Sequence, residues 1–292
     1  MIYTYPKPLK CGDTIGVISL AGAVENRAEV ERGVKVLEGL GFKVKLSSHL
    51  YDCNGYLAGH DSDKIEELHS FFKDDSIDCI LCSRGGYGSI RIVDDLDYDL
   101  IKANPKAFCG YSDITALSAM MLKKSGLVIY SSPMLCGDFG AEKVSEYTID
   151  SFLRAVEGQN LEFVLQGDET LSVKAISFGG NLTTLASLCG RDFMPQEKFV
   201  FIIEDINEPV YKIDRALNQL YGLPLFKDNV VAIVLGDFTG LDDVNLFNQM
   251  IQEFCNKCNV PYWTGLRFGH NREKITLPIG SICEIKNNKI KF

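Results

Sequence analysis

From Thr14 to Tyr130 the chain alternates short, continuously apolar runs with longer segments whose apolar residues recur at helical spacing. That alternation restricts the fold more than any other feature. Thr14 to Leu20 reads as a buried strand, and residues 24–40 as a helix with Val30, Val34 and Leu37 on one face. Further strands are expected over Phe42 to Leu46, Asp78 to Ser83, Ala107 to Gly110 and Leu127 to Tyr130. Helices are expected from Asp61 or Ser62 to Phe72 and from Asp113 to Lys124. Strands separated by helices belong in a parallel sheet covered on both faces, so the fold class is α/β.

A helical pattern over Val144 to Val156 carries the chain away from this unit into a polar, turn-rich stretch ending near Thr170. The expected division is an N-terminal α/β domain over 1–165 and a smaller α+β domain over 166–292. The second half shows strands near 171–177, 199–203 and 230–235 and helices near 181–188, 210–221 and 242–256. The C-terminus reads as a hairpin turning at Asn287-Asn288.

Of the 292 residues, 30 are Lys or Arg and 39 are Asp or Glu, a net charge of -9 with no basic run. Phosphate-held nucleic acid and anionic membrane surfaces are therefore poor partners. No apolar run approaches the length that crosses a bilayer, and the N-terminus lacks an apolar signal core. The expected location is cytoplasmic. The ten cysteines are scattered. Cys79/Cys82 and Cys255/Cys258 have C-x-x-C spacing without partners at metal-site distance, so reduced thiols are expected, with no metal.

Four segments place glycine or polar residues where strands end, the usual ligand side of an open α/β sheet. Ser83-Arg84-Gly85-Gly86-Tyr87-Gly88 suits either an anion cradle or a tight strand-to-helix turn. Phe108-Cys109-Gly110-Tyr111-Ser112-Asp113 has the form of a nucleophile elbow, although Ile114 replaces its second glycine, and it equally suits a simple helix cap. Glu204-Asp205 ends an apolar run, and Glu208 follows close by. His270 lies in a glycine-bounded loop, unlike His49, His60 and His69. Serine, then glutamate, then histidine is a known chain order for a catalytic triad.

Taken together, several motifs resemble the LD-carboxypeptidase family of serine peptidases. They are Leu9 to Ser19, Arg84 to Gly88, Gly110 to Asp113, Gly179 to Leu182, Glu204-Asp205 with Glu208-Pro209, Ile213 to Arg215, Phe268 to His270 and Thr276 to Gly280. The resemblance covers nearly the whole chain. It implies a flavodoxin-like or amidotransferase-like first domain and a second domain of swivelling-barrel character. It also implies a homodimer, no cofactor, and a triad of Ser112, Glu204 and His270, with Glu208 a competitor for the acid. Gly86 and Asp113 would supply the backbone N–H groups of an oxyanion hole. The implied reaction releases a terminal D-alanine from cytoplasmic muropeptide tetrapeptides during peptidoglycan recycling. Arg84 and Asn181 are the expected substrate contacts, for a carboxylate and the peptide. Alternatives are a microcin C-type peptidyl-nucleotide hydrolase conferring self-immunity, a cysteine-dependent amidotransferase-like enzyme with Cys109 as its thiol, and a non-catalytic small-anion binding protein.

Overall fold

A computed structural model describes residues 3–292. The first half alternates as its sequence pattern requires: β1 (Thr14–Ile18), α1 (Arg27–Gly39), β2 (Lys43–Leu46), α2 (Asp61–Lys73), β3 (Cys79–Cys82), α3 (Tyr98–Ala103), β4 (Ala107–Cys109), α4 (Thr115–Ser125) and β5 (Ile129–Ser131). These strands are parallel, in the order β5-β4-β3-β1-β2. Period-two alternation sorts their side chains. Ile15, Val17, Cys79 and Leu81 pack with Val30 and Leu37 of α1, while Ile18, Ile80 and Cys82 pack with Leu68, Phe71 and Phe72 of α2. Cys79 and Cys82 thus point to opposite faces, both buried and both free thiols.

After α5 (Glu146–Val156) come β6 (Glu162–Val164), β7 (Ser172–Asn181), α6 (Leu182–Ser187), β8 (Phe199–Ile206), α7 (Val210–Tyr221), α8 (Pro224–Asn229), β9 (Val230–Thr239) and α9 (Val244–Cys258). β10 (Tyr262–Trp263), β11 (Leu277–Ile279), β12 (Ile282–Lys286) and β13 (Lys289–Lys291) complete the chain. The second sheet has seven strands in the order β10-β9-β8-β7-β12-β13-β6, parallel from β10 to β7 and antiparallel beyond. The architecture is a two-domain α/β fold. The terminal hairpin turns at Asn287 and Asn288, both left-handed with φ of 51° and 53°.

Two strands cross the expected division at residue 165. β6 pairs with β13 in the second sheet, and β11 returns to the first sheet antiparallel to β5. Their extended backbones need partners wherever these occur, irrespective of chain order. One apolar core runs from α4 through Phe178, Phe199 and Phe201 of the second sheet, so the two sheets are not independent packing units. Among the described residues no helix is long and apolar enough to cross a membrane.

Candidate active site

Ser112 follows β4 on a sharp corner. It adopts a left-handed conformation with φ of 62°, which costs a non-glycine residue on the order of 1–2 kcal/mol. A single 3-10 turn, Ser112 to Ile114, then leads into α4. The corner lifts the serine side chain off the strand end, as expected for a nucleophile elbow.

The loop after β3 passes directly over this corner. A β-carbon on Gly85 would lie 2.9 Å from Ser112 Cβ and 3.0 Å from its Oγ, so only glycine lets the backbone come this close. The side chain of Asp113 ties loop to corner, accepting from the N–H of Ser89 at 2.8 Å, while the Ser89 hydroxyl donates to the Asp113 carbonyl. Burial pushes the Asp113 carboxyl upward, against the opposing pull of these Ser89 contacts. The N–H groups of Gly86 and Asp113 donate to no acceptor among the described residues.

From the second half, β8 delivers Glu204 and the loop after β10 delivers His270. His270 Nε2 lies 3.0 Å from Ser112 Oγ, and its Nδ1 lies 2.7 Å from Glu204 Oε2. An ionised Glu204 holds the proton on Nδ1 and leaves the Nε2 lone pair facing the serine hydroxyl. Glu204 is 1% exposed at its side chain and His270 15%. Burial pushes the Glu204 carboxyl above its ordinary range, and the His270 contact pulls the other way. Gly269, with φ of 131°, is the second indispensable glycine: a β-carbon there would sit 2.7 Å from Glu204 Oε2. Glu208 is instead paired with Lys212 at 3.2 Å, outside this contact chain.

The His270 loop is pinned to the first domain. Lys274 N–H donates to Thr148 Oγ1 at 3.1 Å and Thr276 N–H to Ser151 Oγ at 2.9 Å, both on α5. The Lys274 ammonium donates to the Tyr111 hydroxyl at 2.7 Å and to Asp138 at 2.6 Å. The Tyr111 ring packs 4.9 Å from the His270 ring, centroid to centroid. No sequence motif singles out Tyr111, Asp138 or Lys274 as site residues. Tyr111 was visible inside the elbow motif, but nothing local links Asp138 to Lys274.

The serine opens into a cavity of about 380 Å³ lined by Glu25, Glu29, Arg84, Tyr111 and His270 among others. Arg84 lines this cavity, with Nη1 donating to Glu25 at 2.7 Å and to the Ala23 carbonyl at 2.9 Å. Asn181 is not a lining residue. Its side-chain amide donates to Asp205 at 3.0 Å, and its carbonyl oxygen accepts from the N–H and hydroxyl of Thr184. In this structure the Asn181 side chain caps α6, donates to Asp205 and lowers the Glu204 carboxyl, against the stronger effect of burial. For metals, the half-buried His49, Asp52 and Asp63 of the first domain bring ligand atoms within 4.8 Å of one another, and none of the three lines this cavity.

The sequence matches the profile of the LD-carboxypeptidase N-terminal domain over residues 15–132 and that of the LD-carboxypeptidase C-terminal domain over 174–285. The chain belongs to the LD-carboxypeptidase family. It is accordingly a peptidase, a hydrolase. Ser112 lies within the first of the family's two matched segments, and Glu204 and His270 within the second. A probable murein peptide carboxypeptidase of Bacillus subtilis is 36% identical over 290 residues, covering 94% of this chain and 89% of that protein. An MccF-like protein from Bacillus anthracis superposes with a TM-score of 0.91 at 31% identity, covering 99% of both chains. A muramoyltetrapeptide carboxypeptidase from Oxalobacter formigenes gives 0.87 at 28% identity, covering 95% of this chain and 97% of that one.

Proposed function

We propose that this LD-carboxypeptidase family member is a serine enzyme that hydrolyses the L,D peptide bond preceding the terminal D-alanine of a muropeptide tetrapeptide, acting in cytoplasmic peptidoglycan recycling as a homodimer. The observation that carries this reading is the contact chain Ser112–His270–Glu204, closed at 3.0 and 2.7 Å inside a cavity.

In this mechanism His270 Nε2 takes the hydroxyl proton of Ser112 as Oγ attacks the scissile carbonyl. Glu204 orients the imidazole and stabilises its cationic form. The N–H groups of Gly86 and Asp113 receive the developing oxyanion, and losing one such donor costs roughly 10²–10³ in kcat in comparable enzymes. The imidazolium passes its proton to the departing D-alanine nitrogen. Water, deprotonated by the same histidine, then cleaves the acyl-serine ester. Arg84 and the two glutamates beside it face the acyl portion of the peptide.

The test is mass-spectrometric detection of D-alanine released from a muropeptide tetrapeptide by wild type and by Ser112→Ala. Release by wild type and near-background release by the variant supports the reading. No release by either overturns it.

The likeness to an MccF-like protein at a TM-score of 0.91 favours a second reading, hydrolysis of a microcin C-type peptidyl nucleotide that confers self-immunity. The same assay with an aminoacyl sulfamoyl nucleoside separates the two. Cleavage of that compound alone would move the assignment.

A further inference from the structure

A second hollow of about 290 Å³ adjoins the catalytic cavity, sharing Tyr111, Gly137 and His270 with it. It is smaller than the roughly 300–1,000 Å³ pockets that hold drug-sized ligands. Ala141 and Val144 narrow it further. Lys143 and Arg272 stand at its rim, and Arg272 Nη2 donates to the Lys143 carbonyl at 3.2 Å, which ties the two together.

Charge distinguishes the two spaces. In the second hollow the ion pair of Lys274 with Asp138, at 2.6 Å, leaves no net charge at the floor. Lys143 and Arg272 enter no ion pair among the described residues, so the rim is positive. In the catalytic cavity Glu25 and Glu29 outnumber Arg84, whose Nη1 is already held by Glu25 and the Ala23 carbonyl. The two adjoining spaces therefore differ in sign, the catalytic cavity acidic and the second hollow basic at its rim.

Peptide chemistry fixes which part of a substrate goes where. The leaving nitrogen takes its proton from the imidazole, so the leaving residue lies against the His270 ring. Its free carboxylate is only two bonds further on and needs cationic donors to replace lost water. We propose that this hollow is the subsite of the leaving residue, in which Arg272 and Lys143 receive the free carboxylate of a small terminal amino acid. The inference rests on the carboxypeptidase reading above. It makes the enzyme an exopeptidase by charge recognition at the leaving side.

The test compares a tetrapeptide ending in D-alanine with the same peptide ending in D-alaninamide, in wild type, Arg272→Gln, Arg272→Lys and Lys143→Gln. Wild type is expected to prefer the acid by about 10- to 100-fold in kcat/KM, the general worth of a hydrogen bond to a charged group. Arg272→Gln collapses most of that preference, chiefly through KM on the acid, Lys143→Gln lowers it less, and Arg272→Lys keeps much of it. Thermal unfolding of each variant, matching wild type, confirms that the fold is intact. A folded Arg272→Gln variant that keeps the full preference overturns the subsite alone, as does a wild type indifferent between the two peptides. A wild type that cleaves neither overturns the carboxypeptidase reading with it.

Discussion

The ammonium of Lys274 donates to the hydroxyl of Tyr111 at 2.7 Å, and the two residues come from opposite halves of the chain. Tyr111 immediately precedes Ser112, and Lys274 follows His270 by four residues. This contact therefore spans the same seam as the serine–histidine contact and holds its two sides in register.

Replacing Lys274 with Met leaves the Asp138 carboxylate, 8% exposed, without its cation. Removing one member of a buried pair costs on the order of 3–5 kcal/mol. We expect Lys274→Met to lower both the unfolding temperature and kcat. Adding Asp138→Asn removes the stranded charge and recovers much of the unfolding temperature, but not the lost kcat. Thermal melts and steady-state kinetics on the single and double variants check this.

Ser112→Ala and His270→Ala are each expected to lower kcat by more than about 10³-fold, and the double variant no further than the worse single one. Groups acting in one step cannot be removed twice. Losses that multiply would show that the two residues act separately.

Glu204→Gln keeps a hydrogen-bond acceptor for His270 but no longer selects the useful tautomer, a change worth up to about 10⁴ in kcat for an analogous acid. Stability should move the other way. The folded-state pKa of Glu204 is raised, chiefly by burial. For a raised acid, both states are protonated at low pH and nothing is lost. As pH climbs above the unfolded carboxyl value of 4.5, ionisation favours the unfolded chain. The unfolding temperature of Glu204→Gln relative to wild type should therefore rise between pH 4.5 and pH 8. A flat or falling difference would contradict the assignment of Glu204 as a buried, destabilised carboxylate.

Gly85→Ala tests the close approach of loop to corner. The new methyl would stand 3.0 Å from Ser112 Oγ, and the Gly85 backbone is not left-handed, so alanine is conformationally permitted. The expected result is a folded protein whose kcat falls about 100-fold through misplacement of the nucleophile. Near-normal activity would mean that the loop yields without disturbing the serine.

Thiol chemistry separates the serine from its cysteine rival. Cys11 and Cys53 are exposed, whereas Cys109 is fully buried in β4. Burial pushes the Cys136 thiol in the cavity wall up to about 11, so it stays protonated and slow at neutral pH. Iodoacetamide at pH 7 should label Cys11 and Cys53 first without loss of activity, read by peptide mapping. Inactivation that tracks labelling of Cys109 would place the nucleophile on sulfur.

Much of this was legible in sequence because the signals are local. The parallel order of the first sheet follows from apolar runs and helical spacing, and each strand lies within a few residues of its expected place. The corner at Ser112 was visible because a strand end, a small residue and a helix start sit within six residues. The choice between Glu204 and Glu208 was not visible in this way. Both follow an apolar strand, and only the position of the imidazole distinguishes one from the other. Asn181 was undecided for a related reason. A polar residue at a strand tip can face a ligand or cap the following helix, and the φ and ψ of the turn select the cap.

The amino-acid sequence by itself determined the layered α/β plan, the glycine-rich loop and the residue types able to carry serine chemistry, since side-chain periodicity and turn preference act over a few residues. Only the tertiary structure decided what those residues meet. β11 returns to the first sheet and draws the His270 loop across the seam, α5 fastens that loop through Thr148 and Ser151, and Lys274 comes to rest between Tyr111 and Asp138. Those encounters join residues more than one hundred positions apart. Their cost in chain entropy is offset only when the whole core closes, so no local pattern in the sequence could announce them.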